Sequence, residues 1–237
     1  MTLSEAIKTE ALEHAREEIP KESVGLVCIV KGREKYFRCN NQAEKPSEHF
    51  VLDPDDYISV ENKGEITAII HSHPRTLHHP SKADLVGCER SGVPWHIVQP
   101  QTELWGYCEP NGYELPYVGR PFAYGLIDCY SLVRDYYQRE FGISLTDYHR
   151  KEQWWYKGEN LYRDLFPKEG FHEVPVAEAK VGDLFLMQLD ANVCNHAAIY
   201  LGEQRVLHHV QGRLSSNDLY GSYYQKMTDI CIRHESR

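Results

Sequence analysis

No stretch of this 237-residue chain is apolar for long enough to span a bilayer. No secretory hydrophobic segment stands near its first residue. These absences exclude helical membrane spans and predict a chain that is made in a cytoplasm and stays soluble. Basic residues are scarce, with 26 Lys and Arg against 35 Asp and Glu, a formal net charge of −9. No Lys/Arg-rich run offsets that balance, which excludes tracking of nucleic-acid phosphates as the main activity. The cysteines number seven, an odd count without a repeating spacing. Such usage argues against a disulfide framework and for a reduced, cytosolic chain. Internal repeats are absent as well.

What is present describes an ordinary globular protein, 41% hydrophobic and 26% charged. The length suffices for two domains, each with its own core. Sixteen tyrosines occur, with a cluster between Tyr107 and Tyr137. Aromatic grooves bind sugars or peptides, but tyrosine is also a good strand residue, which is the simpler reading.

Residues 3–18 carry Leu3, Ile7, Ala11 and Ala15 at helical spacing, with Thr2 or Ser4 as cap and Pro20 as stop. Val24–Val30 reads as a buried strand, Glu34–Cys39 as its hairpin partner, and Asp53 as a helix start. A β-branched strand over 67–70 leads into His71, a helix runs from Ser81 to about Arg90, and strands follow near 96–98 and 102–107. Glu-Pro-Asn-Gly and Leu-Pro between Cys108 and Gly119 read as a linker. Beyond it, Asp128–Phe141 has Leu132, Val133, Tyr136 and Tyr137 on one helical face and Gly142 as stop. Trp154, Trp155, Leu161 and Leu165 suggest another helix over 150–165. Short strands are expected at 183–188, 193–201, 205–210 and 227–232. Two α+β domains is the economical fold class.

Two groups of residues carry chemistry. In His71-Ser72-His73-Pro74 the histidines share one face of a strand and can point at one ion. Ser81 and Asp84 share a face of the helix that follows. Two imidazoles and a carboxylate leave a tetrahedral ion one open place for water. Glu22, at the opening of a strand, is a candidate general base, and Ser81 a candidate donor to an oxyanion. Taken alone, Ser81-x-x-Asp84 is equally a helix cap with acid in its first turn. His78 and His79 lie inside the motif loop and are not counted as ligands.

In the second half, an extended approach and Asp128 precede Cys129 at a helix N-terminus, where the dipole lowers a thiol pKa. His196 supplies an imidazole on a strand, and His208 or His209 on the next strand a third group to orient it. A three-residue turn at Gly202–Gln204 puts His208 on the face of His196; a two-residue turn at Glu203-Gln204 puts His209 there. Hairpin geometry leaves both open. The other six cysteines read as buried core residues.

The first group resembles the JAMM (MPN) metalloprotease family: an upstream Glu in Pro-x-Glu-x-x-Gly, then His-x-His-Pro, six residues, and Ser-x-x-Asp. Glu22, His71, His73, Ser81 and Asp84 meet that pattern without departure, over roughly residues 1–108. The resemblance implies an α-β-α domain with Zn2+ held by His71, His73 and Asp84, Glu22 as general acid/base, and Ser81 stabilising the tetrahedral intermediate. The second group resembles the papain-like NlpC/P60 cell-wall peptidases over roughly 115–237, through Asp-Cys-x-x-Leu-Val at Cys129 and His-x-x-Ile-Tyr-Leu-Gly at His196. That family's third residue lies twelve after the histidine, which implies His208. Asp-Cys-Tyr-Ser stands where the family has Asp-Cys-Ser-Gly, so its oxyanion tyrosine has no clean counterpart; Tyr124 is the nearest.

The two families in this order resemble the tail tip assembly proteins of lambda-like tailed phages. The resemblance implies synthesis in the infected host's cytoplasm, tail tip proteins as partners, location at the virion tail tip, and hydrolysis of peptide cross-bridges in host peptidoglycan. No nucleic-acid partner and no membrane insertion are implied. The alternative is an assembly factor whose domains mainly bind tail proteins, with proteolysis limited to maturation.

Overall fold

The computed structural model describes residues 2–237. Its backbone divides into two compact units, Met1–Glu114 and Leu115–Arg237.

In the first unit, helix α1 (Glu5–Glu17) begins where the Ser4 side chain accepts the Ile7 N–H. Strands β1 (Val24–Val30) and β2 (Arg33–Cys39) form a hairpin closed by Lys31-Gly32, both with positive φ. That two-residue turn has the hand that matches strand twist. Helix α2 (Pro54–Glu61) is capped by Asp53, whose carboxylate accepts the Asp55 N–H at 2.9 Å. Strand β3 (Glu65–Ser72), helix α3 (Lys82–Ser91), β4 (Trp95–Gln99) and β5 (Leu104–Cys108) complete the unit. The sheet order is β2-β1-β3-β4-β5, and β3 with β4, joined through α3, is its parallel pair. Alternation along the strands sorts the core into two layers. Val24, Leu26, Cys28 and Ile69 meet Val60 of α2 and Cys88 of α3. Val27, Ala68 and Ile70 meet Leu3, Ile7 and Ala11 on the opposite face. The unit is an α-β-α sandwich.

In the second unit, α4 (Cys129–Phe141) opens with a capping box between Asp128 and Ser131 and closes at Gly142. The expected helix over 150–165 is not continuous. Gln153 and Gly158 take positive φ and bracket a single 3-10 turn, Trp154–Lys157. A short helix α5 (Leu161–Leu165) and another 3-10 turn, Phe166–Glu169, follow. Trp154 is buried, so packing of its ring wins over helix continuity. The remaining elements are β6 (Phe171–Val174), β7 (Leu184–Met187), β8 (His196–Gly202), β9 (Arg205–His208), β10 (Ser216–Leu219), α6 (Ser222–Met227) and β11 (Thr228–His234). They build an antiparallel sheet, β10-β9-β8-β7-β11-β6. β6 and β10 lie beyond the expected strands; both are four-residue edge strands, and Ser-Asn-Asp-Leu in β10 has little strand propensity. α4 covers one sheet face, with Leu132, Val133 and Tyr137 against Leu186, Ala197 and Ile199. Phe185, Met187, Ala198, Val206 and Tyr220 form the other layer.

Gly106 of β5 is crossed by the loop that leads to α3: a Cβ there would fall on the His78 carbonyl. Gly106→Ala is therefore expected to destabilise the first unit by roughly 1–3 kcal/mol, the usual cost of overpacking. Hydrogen exchange of β3 and β4 amides under increasing urea measures it; unchanged protection would show that the loop does not lie on β5.

Candidate active sites

His71 lies within β3 and is fully buried, with the rings of Phe50 and Trp95 packed on it at centroid distances of 4.8 and 5.4 Å. His73 follows on the same face, its backbone N–H donating to Val98 O at 2.9 Å. The His73 Nδ1 sits 2.7 Å from Leu77 O. A carbonyl only accepts, so the ring hydrogen is on Nδ1 and Nε2 offers a lone pair. The two Nε2 atoms are 3.1 Å apart, and Asp84 reaches them at 3.1 Å (His71) and 3.4 Å (His73). Asp84 is the N3 residue of α3 and accepts the Ser81 N–H at 2.7 Å, while Ser81 Oγ accepts the Asp84 N–H at 3.1 Å. The capping interpretation of Ser81-x-x-Asp84 is thus satisfied, and the same box aims Asp84 at the histidines. Burial favours the neutral Asp84 carboxyl, but the two imidazoles beside it overcome that and hold the group well below the carboxylate range.

Glu22 precedes β1, where Val24 pairs with His71. Its backbone is tied on both sides, by its N–H to Pro46 O at 2.7 Å and by Asn41 Nδ2 to its carbonyl at 2.9 Å. Glu22, His71 and His73 offer ligand atoms within 4.8 Å of one another. Asp84 also lies close to both imidazoles. Burial lifts the Glu22 carboxyl to about 7, against the opposing pull of His73. Donor atoms on one tetrahedral ion at roughly 2.0–2.1 Å stand about 3.3 Å apart. The His71–His73 spacing of 3.1 Å fits that figure, and Asp84 stands 3.1 Å from His71 through Oδ1 and 3.4 Å from His73 through Oδ2.

In the second unit Cys129 is the first residue of α4 and the one cysteine that is only partly buried; the other six are buried. Its Sγ lies 3.2 Å from Tyr162 Oη, and the Ala197 N–H is near enough to favour its ionised form. The thiol therefore meets β8 one residue on from His196, and no hydrogen bond joins Cys129 to His196 themselves among the described residues. The expected pKa depression does not occur. Burial, aided by the Asp128 charge, pushes the thiol up despite its helix N-terminus. Asp128 is itself occupied, accepting the N–H groups of Ser131 and Gly125 and pairing with Arg150 at 2.9 Å.

His196 is fixed by its predecessor: the Asn195 amide donates to Leu189 O and accepts the Leu189 N–H, at 2.9 and 2.8 Å. Its Nε2 is 3.1 Å from His208 Nδ1. The turn between β8 and β9 is the two-residue one, Glu203-Gln204, both with positive φ. That turn alone would bring His209 opposite Ala198. A bulge between Tyr200 and Gly202 absorbs one residue, so Ala198 pairs with His208 instead. His209 is buried edge-on against Phe122, centroids 5.0 Å apart. Tyr124 donates to Gln211 Oε1 at 2.7 Å; the tyrosine at the thiol is Tyr162. Sequence reasoning missed Tyr162 and also Asp218, whose Oδ2 is 3.2 Å from His208 Nε2. Neither stands at a spacing from Cys129 or His208 that marks it.

The profile for prokaryotic homologs of the JAB domain matches residues 4–107, and that for the NlpC/P60 family matches 119–233. Tail tip assembly protein K of Escherichia phage N15 is 39% identical over 227 residues, 94% of this chain and 92% of that one. The chain belongs to the tail tip assembly protein K family. The family's member in Escherichia phage lambda is 38% identical over 185 residues, 78% of this chain and 90% of that one. Among solved structures, the NlpC/p60 domain of the peptidoglycan hydrolase SagA aligns at 23% identity over 49% of this chain and 89% of its own, with a TM-score of 0.35. This tail tip assembly chain thus carries a JAB-like and an NlpC/P60 domain, the latter from a peptidase family.

Burial lowers the pKa of several histidines, among them His96 and His209, to about 4, and His196 and His208, below the ordinary 6.5. Between the two values the unfolded chain binds more protons than the folded one. Their contribution to stability is therefore complete above about pH 6.5 and lost as pH falls toward 4. His209→Phe is expected to flatten that acid limb in urea unfolding measured from pH 7 to 4.5; an unchanged limb would contradict it.

Proposed function

We propose that this tail tip assembly protein is a thiol peptidase that cleaves peptide cross-bridges of host peptidoglycan through Cys129, His196 and His208. The observation that carries the reading is the placement of the Cys129 thiol against β8 beside His196, whose ring is held by His208. Burial raises the Cys129 pKa and lowers that of His196, so the resting pair is a neutral thiol and a neutral imidazole. His196 then acts as general base rather than as a preformed imidazolium. It takes the Sγ proton as sulfur bonds to the scissile carbonyl carbon, and returns that proton to the leaving amine. Water, deprotonated by the same imidazole, releases the acyl group from sulfur. Tyr162 Oη and the Ala197 N–H are placed to donate to the sulfur as it ionises. Tail tip proteins are the assembly partners, met in the host cytoplasm, and the virion tail tip carries the enzyme to the wall.

The JAB-like domain, in this reading, holds Zn2+ through His71, His73 and Asp84. Zinc bound there supplies Lewis acidity to an amide or isopeptide carbonyl and to the attacking water. Glu22, buried and beside the donor set, takes and returns the proton. Ser81 keeps its hydroxyl hydrogen free while its oxygen accepts the Asp84 N–H, and that hydrogen is available to a tetrahedral intermediate.

Two experiments test these assignments. Reduced full-length protein incubated with peptidoglycan is expected to release cleaved muropeptides, detected by mass spectrometry, and Cys129→Ala to abolish the release. Absence of cleavage with reductant and zinc present would favour a scaffold that only binds tail proteins. Zinc titration by calorimetry is expected to give one site per chain. His71→Ala or Asp84→Ala should weaken it by more than the roughly 10–100-fold typical of outer-shell changes, and Glu22→Gln should leave it intact. Equal affinity in all three variants would sink the ligand assignment.

A further inference from the structure

We propose that Asp218 is a positioning residue of the thiol site, whose carboxylate, through His208, determines which nitrogen of His196 carries the proton. The purpose given to it rests on the thiol-peptidase reading; the geometry does not. Asp218 Oδ2 lies 3.2 Å from His208 Nε2. An ionised carboxylate can only accept, so the His208 hydrogen is on Nε2. A neutral imidazole has one such hydrogen, which leaves His208 Nδ1 as an acceptor. The partner at 3.1 Å, His196 Nε2, must then be the donor. His196 Nδ1 is left with the lone pair that a general base needs. One carboxylate thereby fixes two tautomers in series.

The rest of the surroundings hold Asp218 in that role. Arg213 Nη2 donates to the same oxygen at 3.0 Å and Tyr224 Oη at 3.2 Å. The Tyr224 ring packs edge-on to His208, centroids 4.8 Å apart. The register of β10 on β9, with Ser216 opposite His208 and Asp218 opposite Val206, sets the diagonal that the contact needs. Burial opposes ionisation of Asp218, but His208, Ser216 and Arg213 outweigh it and bring its pKa to about 2. His209, which also acts on His196, is kept neutral by its own burial. The charged groups at the relay are thus Asp218 and Arg213. An amide at position 218 could present N–H to His208 instead. That would move the His208 hydrogen to Nδ1 and the His196 hydrogen to Nδ1, the nitrogen whose lone pair the base needs.

Long-range 1H–15N spectra of reduced, histidine-labelled full-length protein read the tautomers directly, and both His196 and His208 are expected as Nε2–H. Asp218→Asn should convert or mix them, and should slow alkylation of Cys129 by iodoacetamide near pH 7 at least about tenfold. Asp218→Glu should preserve both readouts, and Cys129→Ala gives the alkylation blank. An Nδ1–H form of either histidine in the unaltered protein would overturn the proposal. So would an Asp218→Asn variant with unchanged tautomers and alkylation. If Asp218→Asn does not fold, Arg213→Ala with Asp218→Glu and the unaltered protein's spectrum still decide. Failure to cleave muropeptides while the tautomers are as expected would remove the peptidase reading alone.

Discussion

Strand register is the constraint on which the rest of this molecule depends. Side chains alternate across a sheet, so a slip of one residue would turn either site histidine to the opposite layer. In the first unit, Val24 pairs with His71, and the chain just before it brings Glu22 alongside His73. In the second, the bulge between Tyr200 and Gly202 decides that His208, not His209, faces His196. Each case converts backbone pairing into a distance between functional side chains.

Helix starts contribute the second half of each arrangement. Asp84 closes the capping box of α3 and at the same time faces two imidazoles. One carboxylate accepts the Ser81 N–H and stands beside two imidazoles, so helix start and site geometry share the residue. Asp128 caps α4 in a related way, but Arg150 and Gly125 take up its remaining capacity. Its negative charge, added to burial, leaves the adjacent Cys129 thiol protonated where a bare helix N-terminus would ionise it. The dipole loses to desolvation here.

The two sites also share a device. A histidine is held in one tautomer by an acceptor-only partner: His73 by Leu77 O, and His208 by Asp218. In the first, the lone pair freed on Nε2 faces His71 and Asp84; in the second, it is passed on to His196. A backbone carbonyl suffices where only one ring is to be set. A carboxylate braced by Arg213 and Tyr224 stands where the setting passes through two rings.

By itself the sequence determined what depends on neighbours within a few residues. Helix periods, the helix starts at Asp53 and Asp128, the stop at Gly142 and the spacing from His71 to Asp84 are local signals. So is the pairing of an Asp-Cys helix start with a histidine strand, and together these sufficed for two α+β domains and for both residue groups. The tertiary structure alone decided what depends on long-range pairing and burial. Tyr162 and Asp218 reach their partners across 33 and 10 residues, with no periodicity to announce them. The β8 bulge changes register without altering the turn that sequence can see. The thiol pKa follows from burial, which no dipeptide records. The segment from Trp154 to Glu169 broke into turns because a buried indole and left-handed Gln153 and Gly158 outweighed its helical spacing. Local propensity amounts to tenths of a kcal/mol per residue, and packing of one large side chain to a few, so packing decides wherever the two conflict.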